Sequence, residues 1–135
     1  MSDLRHHLPH GAEALLVHRV LTRNAGSAEV SCHIPDDNPF LFPGPGGALR
    51  APTALLLDFA AQAAAALHTT PTASNGLVAL FEDVHCSSAD FDPTRELVAR
   101  VRELRVLPPL AYYSFEIGPA SNGEFWLTGK LSLRL

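Results

Sequence analysis

Asn38-Pro-Phe-Leu-Phe-Pro-Gly-Pro-Gly-Gly-Ala-Leu-Arg-Ala-Pro52 runs directly into Thr53-Ala-Leu-Leu-Leu-Asp58-Phe-Ala-Ala-Gln62-Ala-Ala-Ala-Ala-Leu67. The first half is crowded with proline and glycine, which punctuate regular structure, and reads as a loop. The second half is apolar at nearly every position and long enough to read as a helix from Thr53 to Leu67. A helix apolar all round must be buried in a small globular protein. Only Asp58 and Gln62 are polar in its interior, and their spacing puts them on one face. An isolated carboxylate is costly to bury unless it is paired or put to use. Asp58, entered through a glycine-proline loop, is therefore the first candidate reaction site.

Outward from this helix the chain reads as strands. Ala14 to Val17 is a short apolar turn leading to a strand near Arg19 to Leu21, and Asn24-Ala-Gly26 is a turn signal. Val30, Cys32 and Ile34 then alternate with Glu29, Ser31 and His33, the pattern of a half-buried strand. Downstream, Ser74-Asn-Gly76 turns the chain into a strand from Leu77 to Cys86. Asp92-Pro-Thr precedes a long strand, Leu97 to Leu107, whose alternation slips around Arg102 to Leu104 and predicts a bulge. Tyr112 to Ile117 and Phe125 to Leu135 flank Ser121-Asn-Gly123, a hairpin signal. In the last strand Phe125, Leu127, Leu131, Leu133 and Leu135 share a face. No repeat or linker divides the 135 residues, so a single domain, residues 1–135, is expected. The order predicts an α+β fold, one curved antiparallel sheet wrapped around one long central helix. Such a thin layer leaves an open sheet edge, and dimerisation is the expected remedy.

Composition narrows the function classes. An apolar share of 47% suits a globular chain. Ten basic against fourteen acidic residues, a net charge of -4, argue against a nucleic-acid partner. No apolar run reaches the roughly 20 residues that span a bilayer, so no membrane partner is expected. Met1 to His10 is polar and rich in histidine, unlike a signal peptide, and the cytoplasm is the expected location. Cys32 and Cys86 are too few for a disulfide framework and read as small buried hydrophobes. No histidine or cysteine spacing of ligand type is present, so no metal is expected.

Leu8-Pro-His-Gly-Ala-Glu-Ala-Leu-Leu-Val-His-Arg-Val20 resembles the N-terminal LPHRxPxLLVDRV segment of hotdog-fold 3-hydroxyacyl-ACP dehydratases. Pro52 to Gln62 resembles the PGVLxxExxAQ segment that opens their central helix. Gly76 to Val101 and the terminal hairpin are also in step, so the resemblance covers nearly the whole chain. One element departs. The family's GHFP motif supplies its histidine base, and that position falls at Gly44, within Phe42-Pro-Gly-Pro-Gly-Gly47. No histidine occurs between Asp36 and His68. The chain is more similar to the accessory dehydratase-like branch of aryl-polyene and related pigment biosynthesis. That branch also lacks GHFP and has a PFL-then-glycine loop, like Pro39-Phe40-Leu41 here.

The resemblance implies water loss from 3-hydroxyacyl chains carried on the phosphopantetheine of acyl carrier protein or CoA, with no other cofactor. That reaction needs a base, an acid and donors to the thioester carbonyl. Asp58 is the expected acid, kept protonated by burial, with Gln62 beside it. His10 and His85 are the candidate bases. Backbone amides of Gly44, Gly46, Gly47 and Thr53 are candidate donors, and Arg50 a candidate phosphate ligand. The competing readings are a structural aspartate, a turn needing glycine only for its dihedral angles, and a solvated arginine. Arg95, Arg100, Arg102 and Arg105 read either as a docking face for an anionic carrier or as a solvated strand face. In this family's architecture histidine and acid come from different subunits. The resemblance thus implies a homodimer, or a heterodimer with a GHFP-bearing hotdog protein. Alternative readings are a non-catalytic acyl- or carrier-binding subunit and a hotdog thioesterase.

Overall fold

The computed structural model describes residues 16–67, 79–120 and 124–134. In chain order the elements are β1 (Val17–Asn24), β2 (Ser27–Cys32), β3 (Phe42–Pro43), β4 (Leu49–Pro52), α1 (Leu55–Ala65), β5 (Ala79–Cys86), β6 (Asp90–Phe91), β7 (Leu97–Leu107), β8 (Leu110–Pro119) and β9 (Leu127–Arg134). Six strands form one sheet in the order β1-β2-β7-β8-β9-β5, antiparallel at every pairing. The short strands β3, β4 and β6 form a small second sheet just ahead of the helix.

The pleat explains which face holds α1. Along β8, Ala111, Tyr113, Phe115 and Ile117 are buried, while Tyr112, Ser114 and Glu116 are half-buried on the opposite face. Leu97, Ala99 and Val101 of β7, Val30 and Cys32 of β2, and Leu127, Leu131 and Leu133 of β9 continue the buried face. Against it α1 lays Leu55, Leu56, Phe59, Ala60, Ala63 and Ala64, packing on β7, β2, β9 and β8. Each large side chain buried in this way stabilises the fold by about 1.5–3 kcal/mol. The alanines let the helix axis lie close to the strands.

The helix is shorter than the sequence suggests, running from Leu55 to Ala65 rather than from Thr53 to Leu67. Pro52 belongs to β4, and Ala66–Leu67 form a closing turn. The bulge expected around Arg102 to Leu104 lies between Glu103 and Arg105. Three side chains differ from expectation. Ser31 is buried on the polar face of β2, because its hydroxyl bonds to the backbone of Arg19 on the edge strand. Cys86 is exposed on the opposite edge, whereas Cys32 is buried and its thiol is pushed up to about 12 by burial. Phe125 lies ahead of β9 and stays 37% exposed. The Leu8-Pro9-His10 element, Ala14 and Leu15, His68, Ser74 to Leu77, the Ser121-Asn-Gly123 turn and Leu135 lie outside the described residues.

Candidate functional site

The helix entrance is held by the segment before β6. Ala51 pairs with Phe91 and Pro52 with Asp90. The Thr53 amide donates to the Ala89 carbonyl at 2.9 Å and its hydroxyl to the Ser88 carbonyl at 2.7 Å. A threonine here is a natural helix cap, yet its hydroxyl is spent on Ser88 and the cap position falls to Ala54, which offers no side-chain acceptor. Thr53 is therefore a buried clamp, and its own amide is not available to a ligand. The next two amides, Ala54 and Leu55, have no hydrogen-bond partner among the described residues. They carry the positive end of the helix dipole.

Asp58 sits one turn further along. Ala54 and Asp58 are exposed and Leu57 and Ala65 half-buried, so together they form the stripe of α1 turned away from the sheet. The burial expected for Asp58 is thus corrected: this chain leaves its carboxyl open to solvent. The reason is positional, since Leu55, Leu56 and Phe59 take the sheet-facing side and position 58 follows Ala54 round to the open one. The grooves lined by Glu29 and Arg100 and by His85 and Lys130 lie on the sheet and do not include Asp58.

Gln62 does not open toward Asp58's solvent. It is buried, and its Oε1 accepts the Leu16 amide at 2.7 Å, tying the start of the described chain to the helix. That contact explains why a glutamine belongs in an alanine-rich helix. His10 lies outside the described residues.

The glycine loop is partly self-satisfied. The Gly44 amide donates to the Ala48 carbonyl at 2.8 Å and the Gly47 amide to the Gly44 carbonyl at 3.0 Å, while the Gly46 amide has no partner among the described residues. Gly46 and Gly47 have φ of 79° and 86°, a region that favours glycine. Gly44 has φ -96°, which any residue adopts. A Cβ at position 44 would instead run into the Arg50 Cγ. Arg50 is committed as well, its Nε and Nη2 donating to Asp90 Oδ1 at 3.0 and 2.8 Å. The candidate phosphate ligand is a brace between β4 and β6.

His85 pairs with Thr128 on β9, and Thr128 lies between inward-facing Leu127 and the close-packed Gly129. Cross-strand partners share a face, so His85 lies on the outer side of the sheet, away from α1, and one chain does not bring it to Asp58. Of the four arginines, Arg95 lies over Trp126, Arg100 over Phe125 and against Glu29, and Arg105 over Tyr112. These three brace the outer surface, and Arg102 is exposed there. The features that sequence reasoning missed are the Ser88–Asp90 clamp on the helix entrance and the open Ala54 and Leu55 amides. The first depends on β6, too short to carry a pattern.

No protein-family model and no curated protein matches the sequence. Solved structures do. The dehydratase heterocomplex ApeI:P from Xenorhabdus doucetiae is similar with a TM-score of 0.74 at 19% identity, over 99% of this chain and 91% of that one. A hypothetical thioesterase from Streptococcus pneumoniae, solved with coenzyme A, gives 0.60 at 10% identity over 86% and 83%. An uncharacterized protein from Pyrococcus horikoshii gives 0.59 at 18% identity over 100% and 93%. Identities this low carry the architecture alone. With one helix laid on a large antiparallel sheet, the chain has the hotdog fold.

Proposed function

We propose that this chain is one subunit of a dimeric 3-hydroxyacyl thioester dehydratase, supplying the acid Asp58 while the base comes from a histidine-bearing hotdog partner. The observation that carries this reading is the open stripe of α1. The helix is buried on every other side, and the stripe holds one carboxyl one turn beyond two amides that have no partner among the described residues. A second subunit laid over it excludes water from Asp58 and turns the Ala54 and Leu55 amides, with that of Gly46, toward a thioester carbonyl. Donors placed in this way stabilise the enolate that forms when the α-proton leaves. Asp58 is the group placed to give the departing hydroxyl its proton. Gly44 stands where the resemblance places the base, so the chain contributes half of each site. Within this reading the carrier is the phosphopantetheine of acyl carrier protein or CoA, and the nearest functional branch is the accessory one of aryl-polyene and pigment pathways.

The test is Asp58→Asn assayed in a complex with a GHFP-bearing hotdog protein. The variant keeps the fold, because the side chain is exposed, and lowers dehydration by on the order of 10²-fold. Unchanged activity after Asp58→Asn assigns the chain instead to acyl or carrier binding without catalysis. A second reading, thioester hydrolysis with Asp58 activating water, is favoured by the exposure of the carboxyl in a loop-and-helix region without histidine. Release of free CoA from acyl-CoA by the chain alone distinguishes it.

A further inference from the structure

The end of the main sheet formed by β1 and β2 brings together two histidines that the proposed site does not use. Val17 pairs with Cys32 and Arg19 with Ser31, so His18 is an extra residue bulged between two pairs. His33 follows β2 directly, and its amide donates to the Leu16 carbonyl at 2.8 Å. The Arg19 amide donates to Ser31 Oγ at 3.2 Å, and that hydroxyl donates to the Arg19 carbonyl at 3.3 Å. The backbone around both histidines is thereby pinned. It holds their rings with centroids 5.7 Å apart and planes inclined at 50°. Both residues are exposed, and neither ring forms a hydrogen bond or ion pair with a described residue.

Two neutral imidazoles with unspent ring nitrogens make a chelating pair. On a tetrahedral ion, with N–metal bonds of about 2.0–2.1 Å, two such rings hold their centroids on the order of 5 Å apart. Neighbouring positions of a square-planar ion draw them closer still. The 5.7 Å separation is nearer the tetrahedral case, and a small rotation of either ring closes the difference. We propose that His18 and His33 bind a divalent ion of the zinc type, which clips β1 to β2, with water in the remaining positions. Imidazole suits zinc and its transition-metal neighbours, whereas magnesium and calcium take oxygen ligands. No third His, Cys, Asp or Glu joins the pair among the described residues. Two protein ligands make an exchangeable clip, weaker than a closed four-ligand structural site. Spacing along the sequence does not register such a pair, because it forms across two strands. Neither histidine takes part in the proposed dehydration, so the clip stands or falls apart from that reading.

The probe is zinc, added to the whole chain after chelation has stripped it of metal. A background variant carrying His6→Ala, His7→Ala, His10→Ala and Cys86→Ser removes competing donors near the amino terminus and the exposed thiol on β5. In that background zinc is expected to bind at one ion per chain by calorimetry. It is also expected to raise Tm, because the ion prefers the folded pair to the unfolded chain. His18→Ala and His33→Ala, each added singly, are expected to weaken binding by on the order of tenfold or more and to cancel the rise in Tm. In the background variant, the ring-proton NMR signals of both histidines are expected to shift together as zinc is added. Zinc binding that survives either single substitution unchanged overturns the proposal, as does a background variant that no longer binds zinc. Movement of only one histidine's signals overturns it too, whether or not the single variants fold.

Discussion

Position 44 concentrates the functional question in one residue. Its φ of -96° permits any side chain, but a Cβ there would run into the Arg50 Cγ and lie 3.2 Å from the backbone carbonyl oxygen of Ala48. Arg50 is flexible and its bond to Asp90 is a part-exposed ion pair, of the kind worth about 0–1 kcal/mol. Glycine is therefore not forced on position 44 by the backbone, as it is on Gly46 and Gly47. Gly44→His is expected to fold with a lowered Tm, since the Arg50 stem must swing aside to admit it. It is also expected to raise dehydration by the chain alone by on the order of 10²-fold, the usual scale of a positioned base. A folded Gly44→His variant as inert as wild type removes position 44 from the site. Position 44 stands out in the sequence because glycine takes the place where the resemblance expects histidine. The stem of Arg50 packed beside it was not legible there, because that packing depends on the pairing of Phe42 with Arg50 in a hairpin two residues deep.

At the scale of elements, α1 was the most legible part of the chain. Its apolar run, interrupted only by Asp58 and Gln62, is too long for a strand, and the structure trims only its ends. The slip in alternation near Arg102 to Leu104 likewise surfaced as a bulge. The small β3-β4-β6 sheet was not legible, since strands of two to four residues rich in proline show no period. The exposure of Asp58 was missed for a related reason. An all-apolar helix does not say which stripe its sheet will cover, and alanine suits either side. Close approach in the β8–β9 connection was equally hidden. A Cβ on Gly118 would meet the backbone carbonyl of Glu124, which cannot rotate aside. Gly118→Ala is expected to destabilise the fold by about 1–3 kcal/mol, as overpacking does. Urea titration checks this, and a midpoint equal to wild type contradicts the packing described here.

At the scale of the whole molecule, one layer of sheet and one helix leave two surfaces asking to be covered: the open stripe of α1 and the β5 edge. The account joins them in one claim, that the chain holds half of a dehydration site and completes it with a histidine-bearing partner. The most direct measurement is mass-spectrometric detection of water loss from a 3-hydroxyacyl-ACP. It is made with the purified chain alone, then with a GHFP-bearing hotdog protein whose own Glu or Asp acid has been removed. The account predicts little turnover by either protein alone and turnover by the mixture, lost again with Asp58→Asn. Brisk dehydration by the wild-type chain alone would contradict it, and His10→Ala and His85→Ala variants would then locate the base.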